Sequence, residues 1–364
     1  VAIARGKQAS VPVILGSATP SLESYAQATT GRYRLIELKQ RAISQARLPD
    51  IELVDLKHIP LDNGLTRPAL LALTETLARG EQSLVFLNRR GYAPALYCPS
   101  CAWVSPCPRC SARLVLHRAK PHSNQPHQLK CHHCGFETRI PPACPSCGNP
   151  DLKALGQGTQ RLEETLAALL PAARIRRIDR DTMRPRAWAE LGAAVHGGEV
   201  DILVGTQMLA KGHHFPRVTL VTMIDIDGGL FSADFRAAER TGQLLVQVAG
   251  RAGRAEHPGQ VLIQTLHPQH PWLARLVAGG YRAFIDPILE ERQQHGLPPY
   301  AYMALLRAES TVQERGLEML RELKIDLVGQ HPQVAIVGPV PAPMPRRAGR
   351  FRLHLLFKHS HRTP

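Results

Sequence analysis

Short, wholly apolar runs separated by longer amphipathic stretches dominate the chain up to about residue 268. VPVIL (11–15), ending at Gly16, and SLVFL (83–87) read as buried strands. ARIRRID, VDILVG and VTLVTMID follow between residues 173 and 225, and GQVLIQTL (259–266) closes the series. Between them the apolar period lengthens to that of a helix. TPSLESYAQA (19–28) has Thr19 as its N-cap and Pro20 at the first helical position. Residues 67–80 read as a helix ending at Gly80. TQRLEETLAALLP (159–171), capped by Thr159, places Leu162, Leu166, Leu169 and Leu170 on one face. ADFRAAERTGQLLVQVAG (233–250) reads as a further helix.

Strands alternating with helices predict an α/β fold with a doubly wound, mainly parallel sheet. Its first strand lies before a cysteine-rich block and the others after it, so the block reads as an insertion within one α/β unit. From about Pro268 the pattern changes to a smaller α+β region. In its last stretch Phe351, Leu353, Leu355 and Phe357 alternate with Arg350, Arg352, His354 and Leu356, which predicts a half-buried strand with a mostly basic outer face.

Charge sharpens this picture. Lys and Arg number 45 against 30 Asp and Glu, a net +15 that favours polyanionic partners. A basic but merely solvated surface is the competing explanation, and the clusters NRRGY (88–92), RIRRIDRD (174–181) and PRRAGRFR (345–352) weigh against it. No apolar run reaches the roughly 18 residues of a membrane span, and no signal peptide is present, so a soluble protein with no membrane partner is expected. The chain lacks an initiator Met and opens and closes inside elements, which reads as an internal fragment of a longer protein.

All eight cysteines fall between Cys98 and Cys147, as the pairs Cys98/Cys101, Cys107/Cys110, Cys131/Cys134 and Cys144/Cys147. Each C-x-x-C turn converges two sulfurs as tetrahedral Zn(II) requires, so four pairs supply two Cys₄ sites with no position left open for water. Redox dithiols or disulfides are the alternative; regular spacing and an even count favour metal and a reducing compartment. Sequential pairing would crowd one ion across the short gap from Cys101 to Cys107. Nested pairing is preferred: Cys98, Cys101, Cys144 and Cys147 on one ion, and Cys107, Cys110, Cys131 and Cys134 on the other. It also brings the two ends of the insertion together. His132 and His133 are read as surface groups rather than ligands, and Trp103 as a packing residue before a DNA-stacking one.

Three further stretches carry chemistry: GSATPS (16–21), GTQMLAKGHHFP (205–216), a polar loop directly after a strand, and QVAGRAGR (247–254). Arg251 and Arg254 are planar multidentate donors suited to a γ-phosphate. In this order, and with SADFRAAER (232–240), IVGPVPAP (336–343) and the eight-cysteine block, the chain resembles the primosomal replication-restart helicases of superfamily 2 over essentially its whole length.

The resemblance implies an ATP-dependent 3′→5′ DNA helicase with two RecA-like lobes, which recognises stalled or collapsed forks and restarts replication by primosome assembly. It implies the end of lobe one at 1–42, the start of lobe two at 43–96, a two-zinc insertion at 97–148, the rest of lobe two at 149–268 and a truncated C-terminal domain at 269–364. Gln247, Arg251 and Arg254 would be catalytic, and Gly250 and Gly212 would lie on the ATP side. Ser17, Ala18, Thr19, Arg89, Thr206 and Gln207 would contact DNA or couple it to the nucleotide. The cofactors would be two Zn(II) in the nested pattern and ATP with Mg(II). The partners would be forked and single-stranded DNA, single-stranded DNA-binding protein and primosome components, in a bacterial, nucleoid-associated cytoplasmic setting.

No G-x-x-x-x-G-K-[ST] loop and no D-E-x-H box occurs, and GQGTQR (156–161) has no Lys, so the chain alone is expected to be inactive. The rival reading is a non-catalytic zinc-ribbon scaffold that binds nucleic acid. It gives no reason for Gln247, Arg251 and Arg254 to stand in helicase register.

Overall fold

The computed structural model describes residues 1–38, 49–57, 59, 61–62, 64–88, 95–117, 128–155, 159–178, 185–209, 215–231, 234–253 and 259–361. The chain opens with α1 (Ala2–Gln8) and α2 (Leu22–Thr29), then β1 (Asp50–Asp55), the pair β2 (Leu61–Asp62) and β3 (Leu65–Thr66), α3 (Arg67–Ala78) and β4 (Gln82–Leu87). The cysteine block carries β5 (Ala95–Tyr97), β6 (Val115–His117), β7 (Gln128–Lys130), β8 (Glu137–Arg139) and β9 (Lys153–Leu155). Next come α4 (Thr159–Leu169), β10 (Ile175–Ile178), α5 (Pro185–His196), β11 (Ile202–Gly205), β12 (Val218–Ile224), α6 (Asp227–Leu230), α7 (Ala237–Ala249) and β13 (Gln260–Thr265). The last elements are α8 (Pro271–Gln294), β14 (Tyr302–Ser310), α9 (Gln313–Gln330), β15 (Ala335–Arg347) and β16 (Arg350–His359).

The main sheet has the order β1-β13-β12-β4-β11-β10, and all its pairings are parallel. Every residue of β4 is buried, which explains why SLVFL is continuously apolar rather than alternating. Leu84, Phe86, Val221 and Met223 face a core shared with α7 and α8. Val85, Leu87, Leu220 and Ile224 face a second core built with α3 and α4. The sheet is therefore covered on both sides, as expected. Leu162 and Leu166 are fully buried on the predicted face of α4, which begins at Thr159 itself.

The cysteine block enters at the C-terminal end of β4 and returns to the chain before α4. Its five-stranded sheet has the order β8-β7-β6-β5-β9, and β5 and β9 pair antiparallel, Ala95 opposite Leu155 and Tyr97 opposite Lys153. The insertion thus leaves and rejoins the α/β unit through adjacent strands. A third sheet, β14-β16-β15, packs against α9 around Leu320, Leu353 and Leu355. Phe351 and Phe357, predicted on the same face, are half-buried.

Three local expectations are corrected. VPVIL forms no strand: Val11, Ile14 and Leu15 are more than half exposed, and no strand in the described residues pairs with them. An apolar run becomes a strand only where a neighbour takes its backbone hydrogen bonds. The cap of α2 is Ser21, whose Oγ accepts from the Ser24 N–H at 3.2 Å, two residues beyond the expected Thr19. The helix expected from residue 233 starts at Ala237, because the Asp234 side chain and carbonyl take the Arg236 and Ala237 N–H groups in a turn.

One buried ion pair ties these layers together. Arg292 on α8 and Glu239 on α7, 1% and 4% exposed, meet at 2.8 Å. Arg292 also donates to the carbonyls of Phe235 and Pro298 and lies over the Phe235 ring. The helices approach closely at Gly242, where a Cβ would lie 2.1 Å from Phe284. Replacing Arg292 with Met should destabilise the chain by about 3–5 kcal/mol, because Glu239 would remain buried without its cation. A urea unfolding midpoint equal to that of the wild type would contradict this, and Glu239→Gln in the same chain should recover part of the loss.

Candidate functional site

Residues 17–26 are laid along α7. The Ser17 Oγ accepts from the Thr19 N–H at 3.0 Å, closing the Ser-Ala-Thr turn. Gln247 Nε2 donates to Thr19 Oγ1 at 3.0 Å, and Gln243 Nε2 donates to the Thr19 carbonyl at 3.4 Å. One helical turn away, Glu239 Oε1 accepts from the Leu22 N–H at 3.0 Å, and Arg236 pairs with Glu23 at 2.7 Å. The Tyr281 hydroxyl on α8 donates to the Pro20 carbonyl at 2.8 Å, and burial pushes its phenol above the usual range. Leu22, Tyr25 and Ala26 complete the core on the α7–α8 side of the sheet.

Two stretches far apart in sequence, GSATPS and QVAGRAGR, are therefore in direct contact through Thr19 and Gln247. Glu239, Gln243 and Gln247 stand at intervals of four, so they share one helix face. Sequence reasoning singled out only Gln247. The other two carry only the weak signal of polar residues at helical spacing, in a helix that also holds Arg240 and Thr241.

Gly250 ends α7, and Arg251 follows it, 7% exposed. A guanidinium held out of water interacts more strongly with an approaching anion than a solvated one does. The next turn is anchored where Gly253 N–H donates to the Val218 carbonyl, at the start of β12. Thr206 and Gln207 instead follow the C-terminal end of β11, a central strand, at the other end of the parallel strands from Val218, and both are half-buried. The structure thus gathers Thr19, Gln247 and Arg251 at one end of α7 and sets Thr206 and Gln207 apart. Arg89, Gly212 and Arg254 lie outside the described residues. Asp227 accepts from the Thr265 hydroxyl and the Leu266 N–H, holding the end of β13.

The thiols form two sets of four, Cys98/Cys101/Cys144/Cys147 and Cys107/Cys110/Cys131/Cys134, with the sulfurs of each within 4.8 Å of one another. This is the nested arrangement. Cys98–Cys147 and Cys101–Cys144 lie at 3.6 Å and Cys107–Cys134 at 3.7 Å, and all eight are free thiols. Four sulfurs held at ~2.3 Å from a tetrahedral Zn(II) would stand about 3.8 Å apart. The observed spacing fits that ion and is far beyond a disulfide bond of ~2.05 Å.

Packed thiols cannot all ionise unaided. Burial pushes Cys107 up to about 12. At Cys134 burial acts upward too, but the Phe136 N–H and the neighbouring thiols outweigh it and draw the group down to about 7. A dication would let all four lose their protons. His132 and His133 are exposed and belong to neither set. Trp103 packs in the block's small core beside Leu96 and Leu114, the packing role expected of it.

Residues 155–256 match the Helicase conserved C-terminal domain, residues 107–139 the PriA DNA helicase Cys-rich region (CRR) domain, and residues 293–364 the Primosomal protein N C-terminal domain. Replication restart protein PriA of Haemophilus influenzae is 42% identical over 366 residues, covering 100% of this chain and 49% of its own length. PriA of Bacillus subtilis is 40% identical over 369 residues, covering 100% and 45%. The chain spans about half the length of the curated relatives it matches. Among solved structures, S. cerevisiae Dbp5 L327V bound to RNA and ADP BeF3 is similar with a TM-score of 0.36 at 12% identity, covering 79% of this chain and 56% of that one.

Proposed function

The chain belongs to the PriA family of replication restart proteins, and on that premise we propose that it is the end of the first motor lobe, the second lobe with its zinc insertion, and the C-terminal domain of an ATP-dependent 3′→5′ DNA helicase acting at stalled forks. The observation that carries this reading is the hydrogen bond between Thr19 and Gln247. It joins a Ser-Ala-Thr turn to the Gln of a Q-x-x-G-R-x-x-R stretch, so a change at one is felt at the other.

In this reading ATP with Mg(II) binds between an upstream lobe, which supplies the phosphate loop absent here, and the end of α7. Arg251 and Arg254 face the γ-phosphate, with Gly250 and Gly212 on the nucleotide side. Ser17, Thr19, Arg89, Thr206 and Gln207 form the DNA-facing and coupling set. The two thiolate sets each hold one Zn(II) that stiffens the insertion. The excess of basic residues suits forked and single-stranded DNA. Single-stranded DNA-binding protein and primosome components in the bacterial cytoplasm and nucleoid are the protein partners that the family suggests.

The test is to compare the 364-residue chain with the same chain joined to an upstream half of the kind its relatives carry. The joined protein should unwind a forked duplex with ATP and hydrolyse ATP faster with DNA, whereas the chain alone should do neither. Failure of the joined protein to unwind, or DNA-stimulated hydrolysis by the chain alone, would overturn the proposal.

A further inference from the structure

Three of the four C-x-x-C turns close on themselves. In each, the first Cys donates its N–H to the carbonyl five residues on: Cys98 to Trp103, Cys131 to Phe136 and Cys144 to Asn149, at 2.7–2.8 Å. In each, the residue four positions on returns its N–H to that Cys carbonyl at 2.9–3.0 Å: Ala102, Gly135 and Gly148. These three adopt φ values of 59°, 73° and 77°, the left-handed turn such closure needs.

The fourth turn breaks the rule. Cys107 donates to the Ala112 carbonyl at 2.8 Å, but the residue four positions on is Ser111, whose φ is not positive. Its N–H points out of the turn and donates instead to the Arg346 carbonyl at 2.8 Å. Arg346 lies at the end of β15, where the chain reverses into β16 through Ala348 and Gly349, both left-handed. The same reversal donates Gly349 N–H to the Arg109 carbonyl at 2.7 Å and Ala348 N–H to Cys110 Sγ at 3.2 Å, and Arg347 reaches the His133 carbonyl.

We infer that the β15–β16 reversal is a working part of the second thiolate site: it closes the Cys107 turn in place of the missing internal hydrogen bond and orients the Cys110 sulfur. Metal at this site and docking of the C-terminal sheet are then linked, each favouring the other. The Cys98 site has no such dependence, since both of its turns close internally. A rigid connection between insertion and C-terminal sheet follows, made at the tip of the insertion rather than its root.

The test uses the zinc-loaded chain and a chromogenic chelator. Ala348→Pro removes the N–H aimed at Cys110 and cannot hold the left-handed conformation. One of the two zinc ions should then leave about 10–100-fold faster, the range for loss of an outer-shell partner, while the other leaves at its original rate. Adding Ser111→Gly should restore slow release, because glycine lets the Cys107 turn close on itself as Gly135 and Gly148 do. Release of both ions at wild-type rates would overturn the inference, as would equal acceleration of both.

A second measurement needs no change in the reversal. Hydrogen exchange at Ala348 and Gly349 should quicken when Cys134→Ser empties the second site, and unchanged exchange would also overturn the inference. The inference rests on the metal reading of the thiolate sets; a wild-type chain that takes up no zinc at either set would refute that reading itself.

Discussion

Replacing Cys144 with Ser should lower bound zinc from two ions per chain to one and unfold the root of the cysteine block, while the tip set and the parallel sheet survive. Cys144 and Cys98 are the buried members of the root set, 3% and 0% exposed, and no water can stand in for a missing thiolate there without opening the packing. Structural zinc contributes on the order of 10–16 kcal/mol to small metal-folded units, far more than the contacts of the block's few core side chains. The root set also sits where β5 and β9 pair, so its loss frees both ends of the insertion together. The main sheet draws its stability from two separate apolar cores and should keep its hydrogen-exchange protection. Metal analysis with exchange mapping checks both halves. Two zinc ions retained, or unfolding that spreads through β4, β11 and β12, would show that the thiolate set is not an independent clamp.

The parts legible in the sequence share a physical basis. β4, β11, β12 and β13 are central strands buried on both faces, so burial writes them as short apolar runs. The nested thiolate sets followed from chain connectivity: an insertion must return to where it left, and its outer pairs are the natural closure. β1 escaped notice because it is an edge strand, and DIELVD keeps its polar positions toward solvent. VPVIL misled for the opposite reason, carrying the apolar pattern of a strand with no neighbour among the described residues. What the polar stripe of α7 grips, and its anchor Arg292, were illegible because those partners lie far off in the chain; Arg292 satisfies Glu239 from 53 positions away. PRRAGRFR reads as a basic cluster, and only the fold shows its backbone closing the Cys107 turn. Donors and acceptors of the main chain leave little trace in residue identity.

On the proposed role of Arg251 at the γ-phosphate, replacing it with Ala in the chain joined to an upstream half of the kind its relatives carry should cut DNA-stimulated ATP turnover by about 10³-fold or more, the loss expected for an arginine finger. Arg251 follows the helix whose Gln247 grips Thr19, so its position is set by the same contacts that tie residues 17–26 to α7. Lys should not substitute for it, because a point charge lacks the planar fork that can hold two phosphate oxygens. A fall of that size corresponds to about 4 kcal/mol of lost transition-state stabilisation, much more than a surface contact supplies. Misfolding is separated from chemistry by the zinc content and the urea midpoint, both of which should stay near wild type. The deciding measurement is steady-state ATP turnover on forked DNA by the Arg251→Ala protein. The account predicts a loss of about 10³-fold or more with the fold intact, and turnover at the wild-type rate would contradict it.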